Sequence, residues 1–196
     1  MTMLNQAGMD TLFHHARSHN GFIDRQVPPQ LLRELYDLAK LGPTSANCSP
    51  LRVVFLTTPE AKARLVPALS PGNVAKTASA PVTCVLGYDT RFYEQAERLF
   101  PHNPRLYDSF AGNPAHAQAT AFRNATLQAA YFLFAARALG LDCGPMSGFD
   151  EQQVNERFFP DGQHRVNFLC NLGYGDPAKL FGRLPRLDFD SACTVL

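Results

Sequence analysis

Apolar positions along the chain change period several times, and each change marks an element. Met9, Leu12, Phe13 and Ala16 fall at helical spacing, with Asp10 placed to favour the start of that helix. Pro28 and Pro29 open a second helix, which needs no amide hydrogens in its first turn, and Leu31, Leu32, Leu35, Leu38 and Ala39 form its apolar stripe. The unbroken run Val53 to Leu56 predicts a buried strand over Arg52 to Thr58. Pro59 starts a third helix, capped by Thr58, with Ala61, Leu65 and Leu69 on one face, and Ser70-Pro71-Gly72-Asn73 breaks it. A short helical turn at Asn73 to Lys76 precedes a second strand from Pro81 to Tyr88. The longest helix runs from Ala115 to Leu139, is apolar or small at almost every position after Asn124, and stops at Gly140. Asp150 caps another helix reaching Phe158, and Val166 to Gly173 is a further apolar strand.

A helix apolar all round is buried on all sides, so the 115–139 helix is either a central core helix or one covered by a second subunit. Phe92, Tyr93, Ala96, Leu99 and Phe100, then Leu106, Tyr107 and Phe110, make 89–113 a helical excursion, either a lid that shapes access to a site or an extra packing element. The tail 187–196 is expected to pack as an extended arm. With 196 residues at 45% hydrophobic content, the chain can bury one core, which predicts a single domain over 1–196.

A formal charge of +1 without like-charge runs gives no reason to expect nucleic acid or an anionic membrane as partner. No apolar stretch approaches the roughly 20 residues of a membrane span, and the N-terminus lacks a secretory pattern, so a cytoplasmic location is expected. The five cysteines, Cys48, Cys84, Cys143, Cys170 and Cys193, are widely spaced without a C-x-x-C pair, which argues against a disulfide framework or zinc site. His14, His15 and His19 lack a nearby carboxylate or cysteine to complete a metal set and read as a surface cluster. A first strand followed by G-x-G-x-x-G is also missing, which argues against a Rossmann dinucleotide domain.

Candidate chemistry centres on Leu41 to Pro50, Leu-Gly-Pro-Thr-Ser-Ala-Asn-Cys-Ser-Pro. Ten residues of turn formers and small hydroxyls exceed what a turn requires, and Pro43, Thr44, Ser45 and Asn47 could cradle a flat polar ligand. This loop resembles the Pro-Ser-Ser-x-Asn-x-Gln-Pro segment of the nitroreductase family, and four other segments are similar to that family in the same order. Arg17-Ser18-His19-Asn20-Gly21-Phe22 resembles Arg-Ser-x-Arg-x-Phe, with Asn20 in place of the second basic residue. Asn73-Val74-Ala75-Lys76 resembles Asn-x-x-Lys, and Gly-Pro-Met-Ser-Gly-Phe-Asp at 144–150 resembles the Pro-x-x-Gly-Phe loop, with Ser147 where many members carry Glu. The run 174–186 resembles a basic Arg-x-Pro segment, in which Arg183 fits best and Lys179 and Arg186 less well.

The resemblance implies an α+β fold, a central mixed or antiparallel sheet flanked by helices, and an intertwined homodimer with FMN where the subunits meet. It implies an FMN-dependent oxidoreductase that takes hydride from NADH or NADPH and reduces a small acceptor. Arg17, Ser18, Asn20, Lys179 and Arg183 would hold the phosphate and ring edge, and Pro43, Thr44, Ser45 and Asn47 would lie against the ring. Asn73 and Lys76 would face the pyrimidine ring, Lys76 acting as electrostatic tuner, while Pro145, Met146, Ser147 and Gly148 bring backbone N–H groups to N5 and O4. Ser-Ala-Asn-Cys-Ser-Pro, Phe-Arg-Asn at 122–124 and Arg-Leu-Pro-Arg at 183–186 look most like the malonic semialdehyde reductase branch, which implies reduction of 3-oxopropanoate to 3-hydroxypropanoate in pyrimidine breakdown. Broad nitro or quinone reduction is the alternative within the family. From a different class, Cys48 with a histidine base would make a hydrolase or transferase.

Overall fold

The computed structural model describes residues 2–196. Four antiparallel strands, β1 (Leu51–Leu56), β2 (Val82–Asp89), β3 (Asp142–Met146) and β4 (His164–Gly173), form one sheet in the order β1-β2-β4-β3. β2 and β4 are central, and β2 is buried along its whole length. Its side chains alternate between two cores, because successive residues of a strand point to opposite faces. Val82, Cys84, Leu86 and Tyr88 face a core built by α2 (Pro29–Ala39) and α7 (Pro114–Ala138). Val85 faces the other core, with Leu169 and Val166 from β4, Leu65 of α3 (Pro59–Leu65) and Val154 of α8 (Glu151–Phe158).

α7 lies against the sheet through Ala117, Ala121, Ala125 and Ala129, whose small side chains let its axis approach closely, and Phe132 fills the space beyond. Leu127 and Tyr131 on the same helix remain close to half exposed. The helix is therefore buried on one side within the chain and open on another. A stripe of polar residues, Thr120, Asn124 and Gln128, is buried with the alanines at one-turn spacing.

Several expected boundaries move, each for a local reason. The first helix, α1 (Gln6–Met9), begins before Asp10, since the Asn5 side chain caps it at the Gly8 N–H. Asp10 opens a wider turn over Asp10–His14, in which the His15 N–H donates to the Asp10 carbonyl. Pro67 lacks the N–H that would extend α3, so Val66–Ala68 tightens into a 3-10 turn and Leu69 pairs with Phe149 outside any helix. The expected short turn at Asn73 is a full helix, α4 (Pro71–Ser79), with Pro71 in its first turn. The part of the 144–150 loop expected to be irregular starts as the edge strand β3, where Pro145 is tolerated because an edge leaves its missing N–H uncalled for. The excursion after β2 is a set of single turns, including α5 (Ala96–Leu99) and α6 (Asp108–Ala111), interrupted at Pro101 and Pro104. The tail is exposed, and it carries one helical turn, α9 (Phe189–Ala192), capped by Asp188. No helix among the described residues is long and apolar enough to cross a membrane.

Candidate functional site

The segment 17–23 leaves the first helical turn and threads between β3 and the chain after β4. Ser18 pairs with Cys143 in a parallel bridge, the His19 N–H donates to the Cys143 carbonyl at 2.9 Å, and Phe22 pairs with Gly175. His19 is therefore not part of a surface cluster. It is buried, with Nε2 3.2 Å from the Asp142 carboxylate, while Asp142 also accepts from the Gly175 N–H. The three histidines gather no metal set, and no metal-binding cluster occurs among the described residues.

This threading brings Arg17, Ser18 and Asn20 to the rim of a cleft of about 420 Å³ shared with 181–186. Arg17 donates to the Phe181 carbonyl, and Arg183 Nη2 donates back to the carbonyls of His14 at 2.7 Å and Ala16 at 3.0 Å. The two arginines thus lace the N-terminal turn and the tail together. Arg137 and Arg186 complete a lining with four guanidinium groups and no carboxylate. Lys179 stands beside rather than in this cleft; its methylene stem crosses Gly21, where a Cβ would lie 2.2 Å from Cδ.

β3 carries the chain from this cleft to Pro145, Met146, Ser147 and Gly148. The Asn73 side-chain amide donates to the Gly148 carbonyl at 2.9 Å, and the Ser70 N–H donates to the same oxygen at 3.0 Å. A Cβ on Gly148 would lie 2.7 Å from Asn73 Nδ2, so the close approach requires glycine. Lys76, one turn beyond Asn73 on α4, is half-buried and makes no side-chain hydrogen bond or ion pair among the described residues.

The loop 41–50 forms a separate group. Ala46, Asn47 and Ser49 have φ of 48°, 57° and 40°, a left-handed conformation that is costly without glycine. The loop is held there from outside: the Ser45 N–H donates to Asn124 Oδ1 at 2.8 Å and the Leu51 N–H to Gln128 Oε1 at 3.0 Å. The Tyr107 hydroxyl donates to the Ala46 carbonyl, and Asn47 Nδ2 donates to the Leu99 carbonyl at 2.8 Å, which ties the excursion to the loop. Thr44 Oγ1 accepts from the Ser49 N–H at 3.1 Å, leaving Pro43 and Ser45 as exposed faces. No hydrogen bond or ion pair among the described residues joins Pro43, Thr44, Ser45 or Asn47 to the two groups around Arg17 and Asn73.

Sequence reasoning missed Asn124 and Gln128 as the supports of this loop. Their spacing of four residues inside an otherwise apolar helix was the available signal. Cys48 is buried, and burial pushes its thiol up to about 11 despite a hydrogen bond with Thr44. A thiol held neutral and out of solvent is a poor nucleophile, so nothing in this geometry favours the hydrolase alternative. Burial likewise pushes the Tyr107 phenol up to about 12, with nearby Cys48 adding to the effect.

A four-stranded antiparallel sheet with two helix-covered faces defines an α+β protein, and it carries an arginine cleft and a strained, externally braced loop. The profile of the nitroreductase family matches residues 15–174, and the chain belongs to that family. An NADH dehydrogenase/NAD(P)H nitroreductase by name, from Cupriavidus pinatubonensis, is 57% identical over 189 residues, covering 95% of this chain and 96% of that protein. A protein of the same description from Ralstonia pickettii is 55% identical, covering 94% and 95%. The fold is similar to that of an Exiguobacterium sibiricum nitroreductase solved in complex with FMN, at a TM-score of 0.86 and 18% identity over the full length of both chains.

Proposed function

We propose that this protein is an FMN-dependent NAD(P)H oxidoreductase that works as a homodimer, each flavin lying between the two subunits. The observation that carries the reading is the cleft in which Arg17, Arg183 and two further arginines meet without a carboxylate, next to Ser18 and Asn20. Guanidinium groups without competing acids suit a phosphate dianion. Gly148, whose missing Cβ leaves room for the Asn73 and Ser70 side chains, fixes the loop at the far end of β3, where its backbone can lie against a flat ring. The residues present therefore fit FMN. When bound, FMN supplies reversible two-electron chemistry, accepting a hydride from NADH or NADPH and passing it to an acceptor.

The chain's own work is to bind, orient and tune. Arg17, Ser18, Asn20, Lys179 and Arg183 hold the phosphate end, and Pro145, Met146, Ser147 and Gly148 present backbone at the ring. Lys76 carries an ammonium without a carboxylate partner among the described residues, able to favour negative charge on a reduced ring. Asn73 serves by holding Gly148 in place. Pro43, Thr44, Ser45 and Asn47 share no hydrogen bond or ion pair with this set among the described residues, and the same loop of a second copy supplies the other wall. The open face of α7 at Leu127 and Tyr131 and the exposed tail residues Leu184, Leu187 and Phe189 are the surfaces such a partner covers.

For the acceptor, the loop match at 45–50 favours 3-oxopropanoate, whose aldehyde carbon takes the hydride and whose oxygen takes a proton to give 3-hydroxypropanoate. A second reading has its own support. A cavity of about 240 Å³ behind Ser45 and Cys48 is walled by Phe92, Tyr107 and Phe110, with His116 stacked on Phe110 at 4.9 Å, which suits a planar ring such as a nitroaromatic or quinone. The test is an absorption spectrum of the purified protein, anaerobic reduction with NADH and NADPH, and reoxidation by each acceptor. Flavin bands that bleach and return support the reading, and the acceptor that restores them faster decides between the two. A protein that stays colourless after incubation with FMN overturns it.

A further inference from the structure

Arg137 belongs to neither the expected flavin contacts nor the residues that brace the 41–50 loop, yet it lines the arginine cleft from the last turn of α7. A cation there complements the negative end of the helix, which accounts for its position in the sequence but not for its hydrogen bonding. Its guanidinium makes one hydrogen bond among the described residues, a long one of 3.3 Å from Nη1 to the Leu12 carbonyl. Its Nε–H is buried with no acceptor. The other arginines of the cleft differ: Arg17, Arg183 and Arg186 each donate to backbone carbonyls, and the first two fix the walls to one another. A buried donor without an acceptor is costly. Arg137 also borders a smaller cavity that holds Asp142, with which it makes no ion pair among the described residues, and on the side of the arginine cleft it stands with three other guanidinium groups that an incoming anion would meet together.

We infer that Arg137 is a phosphate-binding residue, and that it ties the phosphate end of the cofactor to the core helix α7. The inference rests on the proposed flavin reading. In it, Arg17 and Arg183 spend donors on holding the cleft's walls, whereas Arg137 spends one long bond on Leu12 and has its other donors left for the ligand. Because α7 also braces the 41–50 loop through Asn124 and Gln128, phosphate binding and loop placement share one rigid element.

The test compares FMN with riboflavin, which has the same ring and no phosphate, by fluorescence titration of the flavin-free dimer. Arg137→Met removes the charge and keeps an apolar stem. It is expected to weaken FMN roughly 10- to 100-fold, as loss of a charge-assisted hydrogen bond does, and to leave riboflavin within about twofold. Equal weakening of both flavins, or of neither, overturns the inference while leaving the flavin reading intact. A wild-type protein that binds neither flavin overturns both. If Arg137→Met does not fold, Arg137→Lys decides: a selective loss for FMN supports the role, and unchanged affinity for both flavins overturns it.

Discussion

The side-chain amide of Asn73 donates to the carbonyl oxygen of Gly148 at 2.9 Å, joining the helix that carries Lys76 to the loop that follows β3. Two segments separated by 75 residues are thereby fixed as one surface.

Asn73→Ala removes that tie while the Ser70 N–H still reaches the Gly148 carbonyl. The expected cost is about 1 kcal/mol, a fall of roughly 2–4 °C in Tm for a domain of this size. The same change weakens FMN and riboflavin alike, since it acts at the ring end. Calorimetry and paired flavin titrations check it; a selective loss of FMN affinity would place Asn73 at the phosphate end instead.

Gln128→Leu leaves the Leu51 N–H buried without its acceptor, at a cost of about 1–3 kcal/mol. The loop 41–50 then loses one of the braces that hold its left-handed residues. Denaturant unfolding gives the first effect, and limited proteolysis at 44–49 gives the second. An unchanged midpoint and cleavage pattern would show that the loop's strain is balanced elsewhere.

Cys48, Cys84, Cys143 and Cys170 are buried and should resist iodoacetamide at pH 7.5 in the folded protein and react after unfolding. Burial raises the thiols of Cys48 and Cys84, and a hydrogen bond with Cys143 followed by burial raises that of Cys170, so they keep their protons when folded at a pH where unfolded cysteines lose them. The folded state then binds more protons than the unfolded state, and stability falls as pH rises from about 9 towards 11. Unfolding midpoints across that range, read for wild type and Cys48→Ser, check both the sign and the contribution of Cys48. Cys48→Ser is expected to retain oxidoreductase activity.

The paired change Leu127→Glu and Tyr131→Glu places charge on the open face of α7. A dimer covering that face should become monomeric in light scattering, with loss of bound flavin. Retention of both dimer and flavin would put the subunit contact elsewhere.

Much of the fold was legible in local pattern. The leucine stripe of 31–39, the unbroken apolar runs of β1, β2 and β4 and the long apolar helix all appear near their expected places, because burial demands continuous apolar residues wherever an element is covered. Arg17 and Arg183, which the fold brings to one cleft, are singled out through resemblance to a family, whereas Arg137 is not. Boundaries shifted where a proline or a cap outweighed the apolar pattern, as at Pro67 and Asn5.

The sequence by itself determined which segments carry continuous apolar faces and which carry basic and hydroxyl groups, since hydrophobicity, charge and turn chemistry are properties of the residues. Only the tertiary structure decided what those groups do. Pairing Asp142–Met146 against β4 turned an expected loop into an edge strand, and the same pairing buried His19 against Asp142. The approach of α7 to the 41–50 loop gave Asn124 and Gln128 backbone donors to satisfy, and its last turn delivered Arg137 to a cleft walled by residues 12–20 and 181–186, both remote from it in the chain. Hydrogen bonds and ion pairs depend on distances of a few ångströms, and between remote segments those distances are set only when the chain has folded.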